Sequence, residues 1–436
     1  MLILGRNKSA GVGLGAAIAG AMLLALMFAG LAASKASAFD CTGGPILGEG
    51  ASLQGVAQNN VWIPGFHTAA ICGPTGPAVT YKAEGSGAGL AAWGFTDGTF
   101  DASRSFAASD DAPTAAQIAT AQTAIPGEQN VLVIPVAQTA ISIAANPPVE
   151  CEIEEISNAT LERVMRGLTR NWGQIATANG AGCKGSPITR VVRFDGSGTT
   201  YQFKNYLFKI NKAPLECTDN GKGEKMTWQE LEPNPGPNTV WPEAGVAGCT
   251  KSNVSAITNA GKKGGGALIE KLNETDGGFG YAALPDAEAK KNPSVTTVLR
   301  LQNNGLGNEL NAVYPATEGN NANCAAVYNV PEAAQKGHSG ENVDWSQVFG
   351  ANTAVGGEAY PLCTITFDFA MNTYEGSGIE PETVKTLHTY LDEYVVGVEG
   401  QKALENHVFY NSLPSVPTKP SRDVLGAARF AASKMP

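Results

Sequence analysis

The sequence predicts an α/β fold in two lobes, on three observations. Short aliphatic runs pass repeatedly through a turn rich in Gly, Ser or Asp into a segment with helical spacing. Two longer apolar runs, 130–144 and 360–370, have the continuity of strands buried on both faces. The chain has 436 residues, more than one hydrophobic core organises.

Taken in order, residues 1–38 read as a signal peptide. Arg6 and Lys8 make a basic start, 11–33 is an Ala/Gly/Leu run, and Ala36-Ser-Ala38 is a small-x-small cleavage signal before Phe39. An uncleaved membrane anchor is the alternative, since the run is long enough to span. Cys41 follows Phe39-Asp40 and lacks a lipobox. The expected location is therefore periplasmic or extracellular. Cleavage leaves 436 − 38 = 398 residues and removes Arg6, Lys8 and Lys35 but no acid, taking the formal charge from −10 to −13. That acidity argues against nucleic acid or an anionic membrane as the main partner.

In the mature chain, 45–53 is a short apolar stretch ending in a turn with Ser52. Residues 78–82 alternate like a strand and run into Glu84-Gly-Ser-Gly-Ala-Gly-Leu90, a flexible turn and then a helix. Residues 105–109 form a strand ending at Asp110-Asp111-Ala-Pro113, with Pro113 suited to the first turn of a helix over 114–123. Short helices are expected at 159–166 and 168–174. From 211 to 262 the chain is rich in Gly, Pro and Asn and holds Cys217 and Cys249, an insertion. A helix over 264–272 follows, then a turn into a strand at 277–281. Residues 333–347 are polar, with Trp345 and Phe349 able to pack a short helix. Gly376-Ser-Gly378 reads as a linker before a helix over 382–396, whose Val384, Leu387, Leu391 and Val395 make an apolar stripe. A terminal helix spans 425–435.

Eight cysteines, none in Cys-x-x-Cys spacing, read as disulfides in an exported chain. Pairing neighbours gives 41–72, 151–183, 217–249 and 324–363, the preferred connectivity. The four histidines are scattered without metal-ligand spacing, so no metal and no cofactor are expected.

The chemistry concentrates in 188–203. Val191 and Val192 close a β-branched run, Asp195-Gly-Ser-Gly-Thr199 is a polar turn, and Tyr201, Phe203, Tyr206, Leu207 and Ile210 fall at helical spacing. A strand feeding such a turn into a helix makes an anion site. Glycines allow close backbone approach, and the first helical N–H groups lack internal partners. Arg193 adds a charged planar fork. The plainer alternative is that each Ser or Thr only caps its helix. Three earlier strand-to-turn-to-helix passages also place Ser or Asp at the turn. In open α/β sheets ligands bind outside the carboxyl ends of strands.

These motifs resemble those of the substrate-binding proteins of the high-affinity phosphate ABC importer, the PstS type with the related DING proteins. Gly48-Glu-Gly-Ala-Ser-Leu53 resembles Gly-x-Gly-Ala-(Ser/Thr)-Phe, and Tyr81-Lys-Ala-Glu-Gly-Ser-Gly-Ala-Gly89 resembles Tyr-x-x-x-Gly-Ser-Gly-x-Gly. Phe106-Ala-Ala-Ser-Asp110 is similar to Phe-Gly-Ala-Ser-Asp. Residues 193–199 are similar to the most specific signature, Arg-x-Asp-Gly-Ser-Gly-Thr. Asn342-Val-Asp-Trp345 and Tyr360-Pro-Leu362 also have counterparts. The resemblance implies a two-lobed periplasmic-binding-protein (Venus flytrap, type II) fold with mixed sheets. Lobe I would hold 39–136 and 368–436, and lobe II 137–367. It implies phosphate ligation by Ser52, Leu53, Ser86, Asp110, Arg193, Ser197, Gly198 and Thr199. Leu53, in place of Phe, would give a backbone N–H. Asp195 would hold Arg193, and Asp111 competes with Asp110 for the acidic role. The implied partners are inorganic phosphate and the ABC permease of a phosphate importer, with the protein a monomer. The insertion at 211–262 has no counterpart in the simplest members.

Two other classes compete. A phosphatase-like enzyme would need a base beside one of the serines, and no Gly-x-Ser-x-Gly elbow, Walker loop or nearby histidine supplies one, so no catalytic residue is assigned. A surface, adhesion or sensor protein on the same fold could bind another oxyanion.

Overall fold

The computed structural model describes residues 39–127, 129–215, 225–228, 240–242, 256–303, 311–325, 327–348, 359–406 and 408–436. The expected signal peptide, Cys217, Cys249 and Phe349 lie outside them. No helix among the described residues is long and apolar enough to cross a membrane.

Among the described residues the strands are β1 (Ile46–Gly50), β2 (Val79–Lys82), β3 (Phe106–Ser109), β4 (Val131–Asn146), β5 (Glu155–Ile156), β6 (Thr189–Val192), β7 (Ala256–Asn259), β8 (Gly278–Ala283), β9 (Thr297–Val298), β10 (Arg300–Gln302), β11 (Ala312–Val313), β12 (Cys363–Met371) and β13 (Tyr410–Asn411). The main sheet runs β2-β1-β3-β12-β4-β8-β6-β7, with β13 and β9 also on β4. A small second sheet runs β11-β10-β5.

The long β4 joins two halves of the main sheet. Residues 131–140 pair antiparallel with β12, and 141–146 pair antiparallel with β8. Every residue of β4 and β12 is buried, which accounts for their unbroken apolar runs. Pro135 interrupts the ladder because it has no N–H to give. The register shifts there: Thr366 faces Ala137 and Phe367 faces Pro135, so Val136 bulges out. Gln401 Nε2 donates to the freed Val136 carbonyl at 2.8 Å. At the outer ends β1, β2 and β3 are mutually parallel, as are β6, β7 and β8.

Several local expectations need correction. Residues 168–174 hold only a 3₁₀ turn, Trp172–Gln174. Pro113 lies before the helix Ala115–Ala124, because Thr114 takes the N-cap and forms a reciprocal capping box with Gln117. The stripe at 382–396 belongs to two segments, an α-helix Pro381–His388 and a π-helix Thr389–Val395. Among the described residues around Trp345, 341–348, there is no helix; its ring packs on Phe367 of β12, 5.8 Å away.

Disulfides join Cys41–Cys72, Cys151–Cys183 and Cys324–Cys363, as neighbour pairing expects. The described parts of the insertion are also anchored. Glu162 is buried, accepts from Arg166 Nε at 2.6 Å and from Trp228 Nε1 at 2.9 Å, and Arg166 in turn donates to the carbonyls of Ala213 and Pro214.

Candidate functional site

Each half of the main sheet presents the carboxyl ends of its parallel strands to one place. From one half, β1 leads to Ser52, β2 to Gly85-Ser86-Gly87 and β3 to Asp110. From the other, β6 leads to Arg193 and Gly196-Ser197-Gly198, and β7 leads to Gly264-Gly265. The two Gly-Ser-Gly turns touch: Gly87 N–H donates to the Gly196 carbonyl at 3.1 Å. A Cβ at Gly198 would stand 2.6 Å from Ser86 Oγ and 2.7 Å from Asp111 N, so only glycine lets the turns meet. Ser52, Leu53, Ser86, Asp110, Arg193, Ser197 and Thr199 are each at most 5% exposed.

Asp110 is the centre of the arrangement. Its Oδ2 accepts from Thr199 Oγ1 at 3.0 Å and, more distantly, from Ser86 Oγ at 3.4 Å. Its N–H donates to Ser86 Oγ at 3.1 Å, and Gln202 Nε2 holds its carbonyl at 3.0 Å. Its Oδ1 is buried with no hydrogen-bond partner. Burial pushes the carboxyl up to about 6, although Thr366, Thr199, Arg193 and Ser86 pull it down. Asp111 has its N–H on Ser109 Oγ at 2.9 Å and its carbonyl accepting from the same hydroxyl at 2.6 Å. Its carboxyl is raised well above its usual range by burial, with Lys204 opposing the shift and Asp110 reinforcing it. Of the two acids, Asp110 is the one joined to Ser86 and Thr199.

Arg193 is held by Asp195, which accepts from Nε at 3.0 Å and also from Nη2. Its Nη1 donates to Ser52 Oγ at 3.0 Å, and Gly265 N–H donates to the same oxygen at 3.2 Å. Both lone pairs of Ser52 Oγ are thereby occupied, which aims its hydroxyl hydrogen elsewhere. Ser197 is the N-cap of the helix Gly198–Ile210, accepting from Thr200 N–H at 3.1 Å, and its hydroxyl hydrogen is likewise left to donate. Leu53 is buried and its carbonyl accepts from Tyr410 Oη at 2.5 Å. The result is one cation neutralised from behind, two hydroxyls left to donate, and one carboxylate oxygen of Asp110 without a partner.

The sequence reading missed Gly264-Gly265, Gln202 and Asp286. Gly264 N–H donates to Asp195 Oδ2 at 3.4 Å and Gly265 N–H to Ser52, a third glycine-led helix start, whose signal was the run of three glycines at 264–266. Asp286 Oδ2 would lie 2.2 Å from a Cβ at Gly265, and burial pushes that carboxyl up to about 7, with Arg193 opposing. Nothing in its local sequence, Leu-Pro-Asp, sets it apart from a helix-capping acid.

No curated protein matches this chain. Its structure resembles a high-affinity periplasmic phosphate-binding protein, PfluDING, solved with phosphate: 21% identity, TM-score 0.57, covering 85% of this chain and 91% of that one. A phosphate-binding protein from Stenotrophomonas maltophilia gives 16%, 0.55, 88% and 93%. A human phosphate-binding apolipoprotein gives 20%, 0.56, 85% and 91%. At these identities the likeness establishes the fold, and the neighbours are binding proteins rather than enzymes. Residues 48–378 match the family described as the PBP superfamily domain, which spans more than half of the chain and all the strand ends described above, so the chain belongs to the PBP superfamily.

Proposed function

We propose that this protein captures inorganic phosphate between two lobes, 39–136 with 368–436 and 137–367, and delivers it outside the cytoplasm to the permease of an ABC importer. Ser52, Ser86, Ser197, Thr199, Arg193 and the N–H groups at Leu53 and Gly198 are the donors in this reading. The observation that carries it is Asp110 Oδ1, buried and unpartnered among hydroxyl donors and one guanidinium. Phosphate near neutral pH still carries a proton and can give that oxygen a hydrogen bond. Sulfate has none to give and meets an unpaired like charge, which is discrimination by repulsion. Asp195 offsets part of the cost of burying Arg193 and leaves the net charge of the cleft low, so the site works through oriented dipoles rather than attraction at long range. Charge-assisted bonds contribute roughly 1.5–3 kcal/mol each. Five or six of them, less the cost of closure and desolvation, leave on the order of −8 kcal/mol, a micromolar affinity or tighter. The export signal at 1–38, the three disulfides and the periplasmic neighbour support the location and the transport role.

Calorimetry with phosphate, arsenate and sulfate on the wild type, Asp110→Asn and Asp111→Asn tests this. Phosphate should bind the wild type and Asp111→Asn, sulfate should not, and Asp110→Asn should lose phosphate affinity by about 100-fold. Absence of heat with phosphate on the wild type would sink the proposal. Loss confined to Asp111→Asn would move the acidic role by one residue.

A further inference from the structure

The helix Gly198–Ile210 carries Ser197, Gly198 and Thr199 at its start, and one residue of its first turn is held at both ends. Thr200 N–H donates to Ser197 Oγ at 3.1 Å, and Thr200 Oγ1 shares a 2.6 Å hydrogen bond with Tyr281 Oη. Thr200 and Tyr281 are both 0% exposed. Tyr281 lies on β8, the strand beside β6, so the bond links the helix start to the sheet behind it. The tyrosine ring is packed on two sides. Phe203 of the same helix lies 4.5 Å away, and Trp241, from the insertion, stacks at 5.9 Å with 28° between planes. Next to Trp241, Val240 O accepts from Lys204 Nζ at 2.6 Å, again on the anion helix. Val240 and Trp241 thus hold this helix twice, once directly and once through Tyr281.

This arrangement matters for the hydroxyl geometry. Ser197 can aim its hydrogen outward only while Thr200 N–H occupies its lone pair. Thr200 keeps that position through its side-chain bond to Tyr281. A helix start free to wobble would lose the convergence of Ser197 and Thr199 that a small tetrahedral anion needs.

We propose that Tyr281, clamped between Phe203 and Trp241, is a positioning residue for the phosphate site, and that Trp241 sets the residence time of the anion by holding Tyr281 against Thr200. The proposal rests on the phosphate reading above. Neither Tyr281 nor Thr200 is among the donors assigned to the anion.

The test measures phosphate affinity by calorimetry and release rate by stopped flow, on the wild type, Tyr281→Phe, Thr200→Val, the double variant and Trp241→Phe, each with a thermal melt. Tyr281→Phe should bind about tenfold more weakly, with the loss in the release rate. Thr200→Val should match it. The double variant should be no weaker than either single one, because both remove the same bond. Trp241→Phe, which keeps a ring but thins the clamp, should speed release by about threefold. If Tyr281→Phe misfolds, Thr200→Val carries the test alone. Affinity within about twofold of wild type in both single variants, additive losses in the double variant, or a lower melting temperature with unchanged release would each overturn the proposal. A wild type that gives no heat with phosphate overturns both this proposal and the phosphate reading. A wild type that binds, beside variants that bind equally, overturns this one alone.

Discussion

The tripeptide Gly-Ser-Gly occurs at 85–87, 196–198 and 376–378, and the first two copies behave differently from the third. At 85–87 and 196–198 the turn follows a strand of the main sheet and opens a helix. Each serine there is tied to something that the fold, not the turn, brings in: Ser86 to Asp110, and Ser197 to the helix that starts at Gly198. At 376–378 the serine is just as buried, at 1%, but its hydroxyl donates to Tyr374 O at 2.7 Å and accepts from Ile379 N–H at 3.2 Å. Both roles are consumed inside the loop. Burial and composition are therefore the same in all three copies. What separates the first two copies from the third is what the serine holds: Ser86 bonds to Asp110, 24 positions on, and Ser197 caps the helix Gly198–Ile210 with its hydroxyl hydrogen still left to give, whereas Ser377 bonds only within its own loop.

The largest expected effect that sharpens this contrast comes from the glycines. Gly198→Ala places a methyl 2.6 Å from Ser86 Oγ, so the two turns cannot meet and phosphate affinity should fall by at least about 100-fold. Gly376→Ala meets no atom within 4 Å, but its φ of +75° disfavours a side chain. It should cost about 1 kcal/mol of stability and leave binding intact. Paired calorimetry and thermal melts distinguish the two, and equal binding losses would break the comparison.

A smaller effect is expected from the serines. Ser86→Ala and Ser197→Ala should each weaken phosphate by roughly tenfold. Ser377→Ala should lower the melting temperature by a few degrees, the equivalent of about 1 kcal/mol, with unchanged affinity. A Ser377→Ala variant that binds poorly would mean that the third turn is coupled to the site.

The smallest effect concerns the acids behind the first two turns. Asp110 is raised to about 6 and Asp368, buried on β12, to about 8, in both cases by burial. A carboxyl with a raised folded pKa costs nothing below its unfolded value near 4, where both states are protonated. The cost grows as pH rises from about 4 through the folded pKa, and is full above it. Phosphate-free Asp368→Asn should therefore melt with the wild type at pH 4 and above it at pH 8. Identical melting temperatures at pH 8 would show that Asp368 is relieved by a partner. Asp110→Asn should show the same sign over a window that closes near pH 6, a variant steadier than its parent but weaker in binding.

The strand ends were readable because Gly, Ser and Asp must sit where parallel strands stop. Arg193 and Asp195 were readable as a pair because two residues of extended chain point both side chains to one face. Gly264-Gly265 went unread because a glycine-led helix without a hydroxyl carries no chemistry of its own; it matters because Ser52, 213 positions before Gly265, accepts from it, and Asp195 accepts from Gly264. Residues 168–174 misled because Leu168 and Trp172 fall at helical spacing, yet the Trp172 indole is turned inward to donate to Gly277 O at 3.2 Å. Pro113 misled because the capping residue, Thr114, came after it. In the first two failures the deciding partner lay outside the window that periodicity inspects.

The position of β12 in the sheet has a consequence for how the chain matures. Ser109 and its neighbours in β3 pair with Phe367–Phe369 residues some two hundred and sixty positions later, and the strand that carries them also completes the ladder of β4. Until those residues leave the ribosome, β3 lacks its antiparallel neighbour, and Ser109, beside Asp110, has no ladder partner on that side. Such long-range closure is slow. A chain still under synthesis would therefore lack the strand beside Asp110 until Phe369 had been made.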